Sequence, residues 1–532
     1  MDETTTVSPL TKALIRVYEA RKSVAPPGTL RIKVSRTVSA AAYLLEKIRN
    51  AVEFHDQHIA RRAAIERIIR RRLMFNPSGE GIAAVLIKEL IWAKYLPNAS
   101  VPETAIPHIQ EAINKYLLLK QKITAKVKLN EKAVFSNWIF EVASCEVEDR
   151  LHVTVERDAT INYMYQLMRP TITVNKKKDE ERDLQVYIAT SQALAKSERA
   201  LLRYQLLRLY VPDIEEKDES VVPSLSVEMP KIIHSIEGQL THPVLASLYR
   251  YIRRNVPPLL ILQEVLETHR STLDSILSSP EKLAQAVDDI CTSRYKDTGK
   301  RLRSMAIRSV IYVFITKMVL AIVIEVPADR FLQGKVDIIP LAVNLVFPPL
   351  LMFLITLAVS PPGQANTKRI LAKIEEIIGE VPNEDGHTVD FSSKKVSLRP
   401  FLTFIFTLIY SGAFLLSFGM IFYALGRLDF SIASQSIFVF FLCVIMFFGF
   451  RARQTAQEYH FEEKEGLFGP IFDFLLLPIL RVGQWLSSEV SASVANIFTV
   501  IFDVVLEMPL KALFGILEEW FSFLRTKKEE IS

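Results

Sequence analysis

Two groups of residues in this sequence have the types and spacing to do chemistry. The first is Lys317, Glu325 and Asn344, three polar side chains set in strongly apolar surroundings. An ammonium, a carboxylate and an amide at membrane depth could form part of a substrate, proton or ion path. A cation near mid-bilayer costs roughly 2.5–3.5 kcal/mol on insertion scales, so such residues are rarely idle. The lysine also has a structural alternative. Its long stem can snorkel, or its ammonium can pair with Asn344 or with carbonyls freed by Pro348 and Pro349. The second group is Arg61, Arg62, Arg67, Arg70, Arg71 and Arg72, whose chemistry would be phosphate binding, in lipid headgroups or nucleic acid. Helical spacing wraps these charges around the helix, and no aromatic residues interleave to stack bases. That disfavours nucleic acid and leaves lipid headgroups, acidic protein or pairing within the chain.

Other motifs carry less. His55-Asp56-x-His58 could place two histidines on one helix face, but no further histidine or aspartate completes a metal site by sequence. Gly79-Glu80-Gly81-Ile82-Ala83-Ala84 matches G-x-G-x-x-A, yet a helical arginine run precedes it where a dinucleotide site needs a buried strand. A helix–helix turn with Ser78 as cap is the expectation there. The apolar spans hold no histidine and no aspartate, which disfavours an intramembrane hydrolase. No catalytic residue, metal or cofactor is assigned, and the chain reads as a non-enzyme.

The elements that position these residues follow from composition. Glycine is scarce, 17 of 532 residues, against a usual share of about 7%. That favours helices joined by short loops over phosphate-cradling turns. The fold class expected is mainly α: a helical cytoplasmic domain with a small β element, a four-helix transmembrane region and C-terminal amphipathic helices. Four runs reach the roughly 20 apolar residues a bilayer requires: 307–326, 338–359, 401–425 and 432–450. Around them, 14 Lys and Arg flank one side and 3 the other. The positive-inside bias then puts both termini and the 360–400 loop in the cytoplasm. The start, MDETTTVSPL, is not a cleavable signal peptide.

Before the spans, periodicity predicts helices over 39–75, 81–96, 104–122, 182–210, 231–254 and 258–278. One more runs from Pro280 straight into the first span. Alternating runs at 30–34, 171–174 and 185–188 predict strands. The domain expectation is 1–212, basic and mostly helical; 213–230, an acidic proline-marked linker; 231–306, juxtamembrane helices; 307–453, the spans; and 454–532, an interfacial helical tail. The first 130 residues carry net charge +11 and the tail −6, so the two could attract each other. In the tail, Leu467–Leu486 and Val494–Leu524 are apolar but carry ionisable residues, and are expected to lie along the membrane without crossing.

The function expected is a non-enzymatic scaffold or subunit of a membrane complex. The alternative is a small transporter or channel with its path near Lys317, Glu325 and Asn344. Partners expected are the lipid bilayer and other proteins or a second copy.

Overall fold

The computed structural model describes residues 7–20, 30–35, 57–152, 155–174, 179–216, 218–333, 338–379, 389–391, 400–461 and 476–487. It also describes the single positions Ser39, Tyr43, Phe474, Ile516, Trp520 and Phe523. The chain is mainly α-helical and divides into two compact units.

One unit comprises Arg16–Arg253, Glu384–Ser393 and Ala495–Ser532. The boundary falls within α1 (Pro9–Ala20); the helices of this unit are α2 (Gln57–Phe75), α3 (Ile82–Trp92), α4 (Ala105–Thr124), α5 (Leu129–Leu151) and α6 (Val155–Met168). Helix α3 reads IAAVLIKELIW, apolar but for Lys88 and Glu89, and most of it is buried in the core. The turn before it requires glycine: Gly79 has φ +80°, and a Cβ there would lie 2.4 Å from Leu117 Cδ1. This helix–helix turn is as expected, but Ser78 does not cap it. Gly81 occupies the N-cap position, and Gln110 from α4 accepts from Ala83 N (3.1 Å) while donating to the Gly79 carbonyl (2.7 Å). Helices α5 and α6 have no counterpart in the periodicity. The apolar stripe of α5 is interrupted by Ser144, Glu146 and Glu148, all buried.

The next helices are α7 (Asp179–Ala195), α8 (Arg199–Tyr210), α9 (Val222–Leu240) and α10 (Leu245–Arg254). The single helix expected over 182–210 is broken at Lys196, which takes φ +48°. The strand expected at 185–188 is instead part of α7. Gln185, Val186, Ile188 and Ala189 are all buried there, and four alternating residues cannot distinguish a strand from a helix buried on a wide face. The strand at Ile172–Val174 (β1) does form. Its partner is β2 (Val389–Phe391), paired parallel with Ile172 opposite Val389, far beyond the reach of a local pattern. Residues 30–34 are extended and make one isolated bridge, Arg31 with Pro102. Helix α9 begins within the stretch 213–230, with Pro223 in its first turn, where the missing N–H costs nothing.

The other unit comprises Met1–Ile15, Arg254–Asn383 and Lys394–Val494. It contains α11 (Val256–Thr268), α12 (Leu273–Leu277), α13 (Pro280–Leu320), a π-helical turn (Ala321–Glu325) and α14 (Val326–Gln333). These are followed by α15 (Ile338–Ala358), α16 (Gln364–Gly379), α17 (Pro400–Arg427) and α18 (Ile432–Ala456). Among the described residues, four stretches are long and apolar enough to cross a membrane: Pro280–Phe331, Ile338–Ala358, Phe404–Arg427 and Ile432–Ala456. Helix α13 runs unbroken through 41 residues, about 60 Å at 1.5 Å per residue.

The N-terminal half of α13 packs with α11, α12 and α16 into a helical collar. Helix α16, inside what reads as a polar loop, is amphipathic and buries Ile370, Ile374, Ile377 and Ile378. Asn366 closes the collar. Its amide donates to Tyr295 Oη (2.8 Å) and to the Tyr459 carbonyl (2.7 Å), and its oxygen accepts from Phe461 N (2.8 Å). At the other end of α16, the Ile378 carbonyl accepts from Ser8 N (2.9 Å). Close backbone approaches flank α18: a Cβ on Gly449 would meet Ile355 Cγ2 at 2.5 Å, and one on Gly483 would meet the Cys443 carbonyl at 2.1 Å. Gly483 lies on the helix 476–487, within the first apolar stretch of the tail. The second stretch, 494–524, and the acidic tail's proposed attraction to the basic N-terminal region lie outside the described residues, apart from helical positions Ile516, Trp520 and Phe523.

Candidate functional site

The first candidate residues converge. Lys317 and Glu325 are eight positions apart, which on a straight α-helix leaves them about 80° apart around the axis. The π turn at Ala321–Glu325 absorbs one extra residue, reducing that offset to about 20°. Both side chains therefore point to one side of the first span, and Lys317 Nζ lies 3.6 Å from Glu325 Oε2. Asn344, from α15, donates to Glu325 Oε1 and to the Ser434 carbonyl (3.3 Å). All three residues are 0% exposed.

Three further residues join them that the sequence reading did not single out. Ser434 Oγ lies 2.7 Å from Glu325 Oε1 and 3.3 Å from Asp329 Oδ2. Ser431 donates to Asp329 Oδ1, and its Oγ accepts from Ser434 N (3.1 Å), capping α18. A signal existed in both cases. Asp329 follows Glu325 by one helical turn, and Ser431-x-x-Ser434 has the spacing of a helix start. Asp329 escaped notice because it falls in a short connector between spans, where a carboxylate is unremarkable.

The cluster thus ties α13–α14, α15 and α18 together through side chains that are almost wholly enclosed. Three of its atoms have no hydrogen-bond partner among the described residues: Lys317 Nζ, Glu325 Oε2 and Asn344 Oδ1. The ammonium also faces the Phe441 ring, 5.0 Å from its centroid. The same helices bury two apolar groups, Val313, Met352, Phe441 and Ile445 in one and Leu425, Phe430 and Phe438 in the other.

The arginines are arranged differently, bonded to acidic and polar side chains within their own unit. Arg61 bonds Glu148 (3.0 Å), Arg62 bonds Glu66 (2.8 Å), Glu198 and Ser144, and Arg70 bonds Glu66 (2.7 Å) and Asn137. Arg71 and Arg72 share the buried Glu89. Arg67 also has a partner. Glu89 is apolar-flanked on α3 and fully enclosed, so the arginines neutralise a carboxylate that would otherwise be buried alone.

A second buried ionic network lies between α4 and α5. Lys115 Nζ contacts both oxygens of Glu146 (2.8 and 3.0 Å) and the Ile214 carbonyl (2.6 Å). Tyr116 (2.7 Å) and Arg150 (2.6 Å) also bond Glu146. Burial pushes the Lys115 ammonium down, with the Glu146 carboxylate opposing. Burial pushes the neighbouring Cys145 thiol well up. Beside it, Cys145, Asp149, Asp158, Tyr204 and Arg208 line a cavity of about 10 Å³, room for about one water.

Of the H-D-x-H histidines, His55 lies outside the described residues. Among the described residues, no three His, Cys, Asp or Glu side chains are grouped to hold a metal ion. No protein-family model matches the chain, and no curated protein or solved structure shows significant similarity to it.

Proposed function

We propose that the chain is a multi-pass membrane scaffold, in which a braced helical bundle anchors a chain that offers partner proteins surface at the cytoplasmic face. The observation that carries this reading is α13, one 41-residue helix shared by the collar and the bundle. A continuous helix transmits position without a hinge, and the Lys317–Glu325–Asn344 cluster braces its membrane end against two other spans. Large apolar side chains left exposed on the other unit supply partner surface: Met74 and Phe75 at the end of α2, and Leu129 and Val134 on α5.

The orientation follows the charge bias. Residues before the first span (Tyr295), between the second and third (Asn366) and after the fourth (Tyr459) share one hydrogen-bonded junction, which supports their lying on one side of the bilayer. The β1–β2 pairing supports the same side for Val389–Phe391.

Photo-crosslinking groups placed at Phe75 and Leu129 in cells should trap one defined protein or a second copy, and groups at exposed Glu103 should not. Equal, diffuse labelling from all three positions would refute the scaffold reading. Impermeant thiol reagents should reach cysteines placed at the exposed positions Leu428 and Asp429 from outside the cell and miss those at the exposed positions Ala372, Glu375 and Glu376. The reverse pattern would overturn the orientation.

A further inference from the structure

We infer that five arginines at one edge of the apolar bundle, Arg301, Arg303, Arg308, Arg451 and Arg453, form a site for the phosphate headgroups of anionic phospholipid. The inference rests on the reading that the apolar helices span a bilayer, and on neither the scaffold role nor the orientation.

Contacts within one unit fix the relative levels of the helices that carry these residues. Val310 and Val313 of α13, Met352 and Ile355 of α15, and Phe441 and Ile445 of α18 form one apolar layer. A little further along, α18 passes close to α15 at Gly449 and Ile355, and a Cβ on Gly299 of α13 would lie 3.8 Å from Pro361 Cγ. Further still, Tyr295, Asn366 and Tyr459 meet in the collar junction. Residues 296–309 and 446–458 therefore lie between the apolar layer and the junction, and all five arginines are among them.

Their depth suits a headgroup. Large apolar side chains are exposed as far as Ile307 on α13, Leu357 on α15 and Phe450 on α18, which marks the limit of the surface suited to acyl chains. The headgroup layer beyond that limit is about 5–8 Å thick. At 1.5 Å per residue, Arg303 stands about 6 Å beyond Ile307, and Arg451 and Arg453 stand about 1.5 and 4.5 Å beyond Phe450. Arg308 sits at the limit itself. Arg301 lies about 9 Å out, a distance its long side chain can shorten. All five are exposed.

Their charge is not used within the described fold. The arginines of α2 bond acidic and polar side chains, and Arg294 in the collar bonds Glu264. None of the five bonds a described residue. The acids within 296–309 and 446–458 are Asp297 and Glu458. Asp297 lies 3.6 Å from Lys300, and neither acid bonds any of the five. Insertion bias accounts for the sign of the charge at this edge. It is indifferent to the choice of arginine at all five positions, whose planar fork matches a phosphate diester with two parallel hydrogen bonds. Phosphatidylcholine carries its own cation against that phosphate. Phosphatidylglycerol does not, and its headgroup keeps net charge −1 for the arginines to neutralise.

The test uses the purified full chain in nonionic detergent. Orientation plays no part there, so a failure leaves the scaffold and thiol-labelling tests standing. Native mass spectrometry compares binding of dioleoyl phosphatidylglycerol and dioleoyl phosphatidylcholine. Each cation near an anionic headgroup contributes about a factor of five, so two arginines on one phosphate should give wild type a preference for phosphatidylglycerol of about 25-fold. Arg301→Gln/Arg303→Gln and Arg451→Gln/Arg453→Gln should each lower that preference at least about fivefold. Lys122→Gln/Lys128→Gln, at exposed positions on the other unit, should leave it unchanged. Equal binding of the two lipids by wild type, a preference that survives both arginine variants, or an equal loss in the lysine variant would overturn the inference. So would displacement of the lipid by inorganic phosphate at the same concentration, which would mark a site for free phosphate. Should the arginine variants fail to fold, wild type decides with a phosphatidylglycerol carrying a diazirine next to its headgroup. Labelling of peptides within 296–309 and 446–458 supports the site, and labelling confined to other segments overturns it.

Discussion

Breaking the Lys115–Glu146 network should destabilise its unit asymmetrically. Lys115→Met deletes an ammonium that contacts both oxygens of Glu146 and the Ile214 carbonyl. Glu146 keeps Tyr116 and Arg150, so its charge stays compensated. Glu146→Leu instead leaves the Lys115 ammonium, whose side chain is 2% exposed, with only the Ile214 carbonyl. Arg150 can swing to solvent. Removing one partner of a buried pair costs roughly 3–5 kcal/mol. Lys115→Met belongs near about 3 and Glu146→Leu near about 5 on that scale. The double variant leaves no buried unpaired charge and should recover most of the loss.

The assay is built into the core, because Cys145 adjoins Glu146 and is itself buried. It reacts with a thiol reagent only when the unit opens, and mass spectrometry of its peptide separates it from the other cysteines. At a factor of ten per 1.4 kcal/mol, the two single variants should speed labelling about 140-fold and about 4,000-fold. Labelling of Glu146→Leu no faster than Lys115→Met would refute the reasoning. So would a double variant as fast as the worse single.

The other cysteines report on the other regions. Asn366→Ala removes three hydrogen bonds and strands Phe461 N, a loss of about 3 kcal/mol, so the buried Cys291 in the collar should label about 100-fold faster; an unchanged rate would mean the junction contributes nothing. Gly483→Val drives a side chain into the Cys443 carbonyl and Phe447, and a membrane-permeant maleimide should then reach Cys443 while Cys145 stays protected. Gly79→Ala forces φ +80° on a residue with a Cβ and a clash with Leu117, costing about 1–3 kcal/mol, read as faster Cys145 labelling with Cys443 unaffected. Burial, aided by Asp149 against Arg157 and Arg208, holds the Asp158 carboxyl above its ordinary 3.8. The stability this group contributes is present below 3.8 and lost as pH rises through its folded value. Asp158→Asn should gain on wild type as pH rises from acid towards neutral, and a constant difference in unfolding midpoint would contradict this.

Long runs of uniform pattern were the legible part of the fold. The four long apolar helices, the unbroken helix from Pro280 into the first of them, and helices α3 and α4 follow from period and apolar content alone. Helix α5 did not, because Glu146 and Glu148 sit where an apolar stripe would be, and only distant partners such as Lys115 and Arg61 make their burial affordable. Strand β1 was legible as a strand but its partner, more than two hundred residues away, was not. In the membrane cluster, the three residues that stood out were those anomalous in their surroundings, Lys317, Glu325 and Asn344. Asp329, Ser431 and Ser434 lie at chain positions where polar residues are ordinary, and their enclosure arises only from the packing of the first span against α18. The π turn that aligns Lys317 with Glu325 leaves no mark in the sequence that periodicity can read.

The junction at Asn366 also has a history in time. Its partners Tyr459 and Phe461 lie 93 and 95 residues further along the chain. At 5–20 residues per second, a ribosome needs about 5–20 seconds to make that length. Throughout that interval the amide can bond Tyr295 alone, and the third and fourth apolar helices, α17 and α18, are still being made. The collar closes only once α17 and α18 have been synthesised. A stalled or truncated chain would carry an open collar, with the apolar face of α16 less well covered, and so be distinguishable from a finished one.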